Sequence, residues 1–424
     1  MLPLIEKLAN SNIMYFADTK GGTLMHNLQV RRYYAALKGF YLFAFLGTGS
    51  IIPLLSMYLT KEQHLSGSQV GLIMSLGPIV MIFFQPFWGM LSDYTQKTKG
   101  LLAVCTSITG IIGLAYIAFD GFPLFILIAA CFAAFQSTII PLSDSISLRY
   151  TQETNGNYGG IRLFGSLGFG VAVFAMGQVT NQLYPIHVIF IFGCAFLCIA
   201  AILASQMPGQ QKTKTKVNIR KGFRELISNK TFLIFMIITF TTFAPNLANN
   251  TYFSLFLDKS GASLSAIGIL FFIGVISEIP FMRFAQTFID KMGLLNVIML
   301  SGGVSLFRWA LYFTAPSLWI IYVTVFLQGV AIGLFIPAAL QYVKKITPRH
   351  VEATALTMYA AIGNGFGNWF CTFAGGYIFD YVSIFAVYLL FGILSIAGFG
   401  LTLYLMKAEK NKHTLHQPAV TFKP

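Results

Sequence analysis

Charge is what this sequence has least of. Asp, Glu, Lys and Arg make up 10% of its 424 residues, against about 25% in a soluble globular domain. With 56% hydrophobic residues and a mean hydropathy of +0.71, the scarcity excludes a soluble fold and marks an integral membrane protein. Cysteine is sparse too: Cys105, Cys131, Cys194, Cys198 and Cys371 all lie inside apolar runs, leaving no loop pair for a disulfide framework. Cys194 and Cys198, four residues apart without further ligands, read as small packing residues and not as a metal site. Histidine is missing from the depth of every apolar run, so the paired histidine and acid that a membrane-embedded enzyme would need are lacking. The chain therefore reads as a non-enzyme with no metal and no cofactor. Acidic residues number 14 against 28 basic ones, but the cations are not gathered on a face with interleaved aromatics, which argues against nucleic acid as a partner.

What is there is a series of apolar runs long enough, at ~20 residues, to cross a bilayer core. They cover 35–59, 69–92, 100–119, 122–147, 158–180, 184–205, 231–257, 264–289, 294–314, 318–343, 353–379 and 382–406, which predicts an all-α protein of twelve transmembrane helices. The basic residues fall in alternate connections: Lys97, Lys99, Arg149, the run 212–230, Lys291, Lys344, Lys345 and Arg349 on one side, with only Lys61 and Lys259 on the other. The positive-inside rule then places both termini and the 206–230 segment in the cytoplasm, beside anionic membrane lipid. Residues 1–32 lack the apolar core and cleavage site of a secretory signal and read as a disordered cytoplasmic tail; residues 407–424 read as a second cytoplasmic tail. Translation is expected to start at Met1 or at Met25.

The helices divide in two. Gly71 and Asp93 in SQVGLIMSLGPIVMIFFQPFWGMLSD are 22 apart, as are Gly268 and Asp290 in SAIGILFFIGVISEIPFMRFAQTFID, at an offset of 197. Gly168 and Gly170 recur as Gly365 and Gly367 at the same 197, and Pro141 recurs as Pro337 at 196. Agreement among these offsets argues for a duplicated six-helix unit, with halves at 33–205 and 231–406 joined by a basic linker at 206–230. Two such halves with a solute handled between them are the architecture of an alternating-access transporter.

Within the apolar runs a few charges stand out, each costing about 2.5–3.5 kcal/mol at a bilayer centre. Asp144 near the end of helix 4 and Arg162 one turn into helix 5 are placed to come within ion-pairing reach, either to hold a substrate or to staple two helices. A guanidinium offers five fixed donors to sugar hydroxyls or to a carboxylate. Glu278 in VISEIPFM has no neighbouring cation in sequence; if ionised it needs a partner from another helix, with Arg308 the nearest candidate, and if unpaired it stays protonated. Arg283 is expected to snorkel to the interface. Asn364 and Asn368 share a helix face, available to substrate hydroxyls or to interhelical bonds. Gly89 and Asp93 in GMLSD, with Asp290 at the duplicated position, lie at cytoplasmic loops and read as gates. The glycines of GSLGFG and GNGFG follow no strand and sit in apolar runs, so they are close-packing surfaces and not nucleotide loops.

The motif FQPFWGMLSD resembles the loop 2–3 signature of the major facilitator superfamily, in the form of the lactose permease and its relatives. IIPLLSMYL, IIPLSDSISL, YGGIRLFGSLGFG, SGGVSLFRW and FAGGYIFD follow the same pattern in order over 33–406, and the helix 5 text also resembles the phenylpropionate permease branch. The resemblance implies that Asp144 and Arg162 form a sugar-binding pair with Phe169 as the stacking aromatic. It further implies that Glu278 couples substrate to protons with Arg308 assisting deprotonation. The helix 10 histidine and glutamate of the lactose permease pattern are replaced by GVAIGLFIPAA (329–339), its helix 11 lysine by Asn364, and its helix 7 aspartate by Asn246, Asn249 and Asn250. Lactose specificity is therefore not implied. The expected function is proton-driven uptake of a sugar, oligosaccharide or nucleoside by a monomer in the cell membrane. An aromatic acid is the alternative substrate, and efflux by antiport is disfavoured because helix 5 has no proline.

Overall fold

The computed structural model describes residues 22–154, 156–182, 184–209, 225–348 and 351–415. They form twelve helical rods: α1 (Gly22–Lys61), α2 (Gly67–Thr95), α3 (Thr98–Ala118), α4 (Phe122–Gln136 and Ile139–Glu153), α5 (Tyr158–Gln182), α6 (Val188–Ser205), α7 (Lys230–Ile238, Thr239–Phe243 and Ala244–Lys259), α8 (Leu264–Met292), α9 (Leu294–Phe313), α10 (Leu318–Thr324, Leu327–Gly333 and Phe335–Ile346), α11 (Glu352–Ala360, Ala361–Gly367 and Asn368–Tyr381) and α12 (Ile384–Leu415). Eleven of these, all but α11, contain stretches long and apolar enough to cross a membrane. The predicted spans correspond to these rods in order, with differences at their ends and interiors. Residues 22–32 continue α1 and residues 407–415 continue α12, so helix extends into both segments expected to be tails. Most of the 206–230 linker lies outside the described residues, as do 1–21, 416–424 and Arg349.

The interruptions have local causes. In α4 the hydroxyls of Ser137 and Thr138 donate to Ala134 O and Phe135 O, both at 2.7 Å, offering the backbone an alternative to the helical ladder. In α7 and α11 the central segments widen into π-helix, and these two wide turns face each other: a Cβ on Gly363 would meet Phe243 and Thr239 at 3.1 Å. Wide turns of this kind concentrate at functional positions.

The duplication is legible in the backbone. Ser66 caps α2 through a reciprocal bond with Gln69, and Ser263, 197 residues on, caps α8 by accepting from Ala266 N at 3.2 Å. The same helices end on left-handed residues at the same offset, Gln96 with φ of 56° and Gly293 with φ of 83°. The halves meet along α2 with α11 and α5 with α8. Both seams are closed by paired glycines: a Cβ on Gly71 would lie 2.5 Å from Gly376 Cα, and one on Gly177 would lie 2.8 Å from Gly268 Cα.

These contacts lie toward one end of the bundle, where α1 ends and α2 begins. Lys61 bonds Asp258 at 2.5 Å, Ser56 bonds Ser254 at 3.0 Å and Thr251 O at 2.8 Å, Ser68 bonds Asp380 at 2.7 Å and Ser265 bonds Gln178 at 2.7 Å. One buried core spans both halves there. Toward the opposite end the core separates into one cluster per half, and Phe84, Phe87, Met90 and Tyr94 of α2 are exposed. The molecule is closed at one end and split at the end carrying Gly22 and Leu415.

Because Gly71 abuts backbone and Gly77 of the same helix has nothing within 4 Å of a Cβ, Gly71→Ala is expected to destabilise the detergent-solubilised protein by about 1–3 kcal/mol. Gly77→Ala is expected to be neutral or stabilising by up to about 1 kcal/mol through helix propensity. Thermal unfolding of the two variants side by side checks the contrast.

Candidate functional site

Two polar clusters interrupt the apolar interior, one in each half. In the first, α1 presents Tyr41 and Phe45 one turn apart, their rings stacked with centroids 6.2 Å apart. The Tyr41 hydroxyl donates to Asp144 Oδ1 of α4, and Tyr158 of α5 stands beside the same carboxylate. Arg162, one turn further along α5, lays its guanidinium over Phe45 at 4.6 Å and over Tyr41 at 5.7 Å. Gly165 makes room for this: a Cβ there would sit 2.6 Å from Arg162 Nη1. Asp144 and Arg162 are both half-buried.

The expected ion pair between them is not formed. No Asp144–Arg162 contact falls within 4.0 Å among the described residues; tyrosine hydroxyls occupy the carboxylate and aromatic faces occupy the guanidinium. The two charges instead flank one ring, Tyr41, as separated poles. A guanidinium over a ring gains about 0.5–2 kcal/mol, more as it is desolvated, and leaves its in-plane donors available. Phe169 is half-buried against the shared core, and its backbone packs at Gly49, where a Cβ would lie 2.9 Å from Phe169 O. Sequence reasoning missed Tyr41, Phe45 and Tyr158. Their helical spacing against Asp144 and Arg162 becomes meaningful only once α1 is known to lie against α4 and α5.

The second cluster joins α8, α9 and α10. Arg308 is fully buried, with its guanidinium 5.0 Å from the Trp309 ring and 5.6 Å from the Tyr312 ring. Its expected direct pairing with Glu278 is replaced by a bridge. Gln328 Nε2 donates to Glu278 Oε1 at 3.0 Å, and Arg308 Nη2 donates to Gln328 Oε1 at 3.4 Å. Gln328 was not anticipated, although it is the one polar residue introducing GVAIGLFIPAA.

The remaining candidates scatter. Asn364 lies exposed in the wide turn of α11, while Asn368 accepts from Thr372 Oγ1 at 3.2 Å. The asparagines of α7 divide differently: Asn246 is buried and donates to Thr242 O at 2.9 Å and Ser305 Oγ at 3.0 Å, and Asn249 accepts from Tyr388 at 3.1 Å. At the split end Gly89 has no neighbour within 4 Å of a Cβ, Asp290 accepts from Gln286 at 2.7 Å, and Gln341 reaches Gln286 at 2.9 Å. The Asp93 side chain lies outside the described residues. Arg283 is exposed.

Comparison with known proteins adds the following. Residues 34–390 match the model of the MFS_1 like family. The transporter YwbF of Bacillus subtilis (strain 168) is 99% identical over 400 residues, 94% of this chain and 100% of that protein. The maltose permease of Geobacillus stearothermophilus is 41% identical over 371 residues, 88% of this chain and 94% of that one. Among solved structures, the nucleoside transporter NupG superimposes with a TM-score of 0.77 at 20% identity, covering 88% of this chain and 98% of that one, which is a likeness of fold.

The two kinds of asparagine are separable by stability. Asn246→Leu removes two buried bonds and is expected to cost about 1–3 kcal/mol, whereas Asn364→Ala, at an exposed position, is expected to stay within about 0.5 kcal/mol of the parent. Denaturation midpoints in detergent check both.

Proposed function

Since the chain belongs to the MFS_1 like family and is a membrane-embedded, multi-pass transporter of the major facilitator superfamily, we propose that it takes up a sugar, oligosaccharide or nucleoside by proton symport, its two halves rocking about the solute. The observation that carries this reading is the cluster Tyr41–Asp144–Tyr158–Arg162–Phe45. Around the fully buried Tyr41, the half-buried Asp144, Arg162 and Phe45 offer a carboxylate acceptor, a fork of donors and a ring face, a set suited to polyhydroxylated rings. The maltose permease likeness favours a glycoside among these solutes. In this proposal Asp144, Arg162, Asn364 and Asn368 supply polar contacts, with Phe169 behind them. Glu278 and Arg308 carry the proton coupling. Gly89, Asp93 and Asp290 gate the cytoplasmic end, which is the end standing open. The basic connections orient both termini to the cytoplasm of the cell membrane, and the protein works as a monomer with the proton gradient as its driving force.

Two variants test this. Arg162→Lys keeps the charge but loses the planar fork, so a binding role predicts well-folded protein whose half-saturating solute concentration rises at least about tenfold, a loss of ~1.4 kcal/mol. Uptake of labelled maltose, a nucleoside and phenylpropionate by cells carrying each form reads both substrate class and affinity. Unchanged uptake by Arg162→Lys together with lower protein yield from Asp144→Asn would mark the cluster as a helix staple.

For coupling, Glu278→Gln mimics the protonated acid permanently. It is expected to abolish accumulation against a gradient while equilibrium exchange continues. Proteoliposomes with and without an imposed proton gradient make the measurement, and intact accumulation would move the carrier role away from Glu278.

A further inference from the structure

Glu278 and Arg308 do not touch; an amide stands between them. Gln328 is 6% exposed and makes both of its described side-chain bonds along this line, Nε2 to Glu278 and Oε1 from Arg308. Its place is prepared by small residues. A Cβ on Gly274, one turn before Glu278 on α8, would lie 3.3 Å from Gln328 Cδ, Nε2 and Oε1 alike, so the amide plane rests on that glycine. Gly329, next along α10, is pressed against the Ser277 backbone, which sets the approach of α10 to α8. On its far side the Arg308 guanidinium has Nε and Nη1 without hydrogen-bond partners and rings on its flanks, so Gln328 is its described polar outlet.

An amide has a direction. With Oε1 turned to Arg308, an obligatory donor, Nε2 must face Glu278, and an N–H donor facing a carboxyl is satisfied best by the ionised form. A protonated Glu278 that used its O–H toward the bridge would need the amide reversed, turning N–H groups toward the guanidinium. The orientation imposed by Arg308 therefore favours the ionised form of Glu278 without direct contact. We infer that Gln328 is a positioning residue that transmits the Arg308 charge to Glu278 and holds its carboxylate ready to take up and release a proton as α8 moves against α10.

This inference deepens the coupling reading above, so its test needs a readout apart from transport. Dicyclohexylcarbodiimide, which attacks protonated carboxyls in apolar surroundings, is applied to the full-length protein in liposomes at one fixed pH, and modification of Glu278 is followed by peptide mass spectrometry. Gln328→Leu removes a donor to a charged group, a loss expected to raise the rate of Glu278 modification about tenfold. Gly274→Ala, which displaces the amide without deleting it, is expected to raise it by a smaller factor. Should Gln328→Leu fail to fold, Gly274→Ala and Gln328→Asn carry the test, both shifting the amide within the same site. Accumulation by Gln328→Leu should fall while its equilibrium exchange continues near the parent rate. Unchanged or slower Glu278 modification in the folded variants would overturn the inference, as would an equal loss of accumulation and of equilibrium exchange in Gln328→Leu. Intact accumulation by Glu278→Gln with raised modification in Gln328→Leu would instead sink the coupling reading while leaving the bridge in place.

Discussion

The close approach of backbone to backbone at Gly71 with Gly376 and Gly177 with Gly268 is the constraint on which the rest of the arrangement depends. Inside a bilayer, lipid is as apolar as leucine, so helices gain little from hiding apolar side chains against each other; they associate where small residues allow dense contact and where polar groups meet. This chain concentrates both at one end. The glycine seams, the serine bonds of α1 with α7 and the shared core hold the halves together there, while at the other end each half keeps a core of its own. A body joined at one end and complete in two pieces at the other can pivot without exposing a new interior, because the pieces that separate are already sealed.

Against that apolar background each interior charge has been given company of a particular kind. Arg308 is enclosed by aromatic rings and one amide; Arg162 is laid on Phe45; Asp144 is held by a tyrosine hydroxyl. Among the described residues none of the three is matched with a direct opposite charge. A tight buried ion pair would gain little over well-packed apolar residues and would be costly to break. Aromatic and amide partners instead stabilise a charge while leaving it free to take another partner, which is what a side chain needs if it is to meet a solute or a proton and then let it go.

Much of the fold was legible from hydropathy because bilayer thickness sets the length of each run, and the duplication was legible because glycines and aspartates of α2 and α8 recur at a constant offset. The wide turns of α7 and α11 were not, since a π-helical turn leaves no distinct pattern in apolar residues; GNGFG hinted only at close packing. Charges in apolar runs announced themselves by their cost, so Asp144, Arg162, Glu278 and Arg308 stood out. Their partners did not. Tyr41, Phe45 and Tyr158 look like any aromatic residues in a membrane helix, and Gln328, uncharged and cheaper to bury, lies fifty residues from the acid it bonds. Partner identity depends on which helices lie side by side, and neither composition nor periodicity carries that information.

The ion pair at the closed end records something about origin. Lys61 and Asp258 are 197 residues apart, the same offset that separates the two copies of the six-helix unit, so each residue occupies the position of the other in its own half. Their contact places that position at the pseudo-twofold axis. In a dimer of identical subunits a residue on the twofold axis can meet only its own kind, and this site would have held two lysines or two aspartates facing each other. Joining the copies into a single chain released the axial position from identity, and opposite charges could then settle across the line where symmetry had forbidden them.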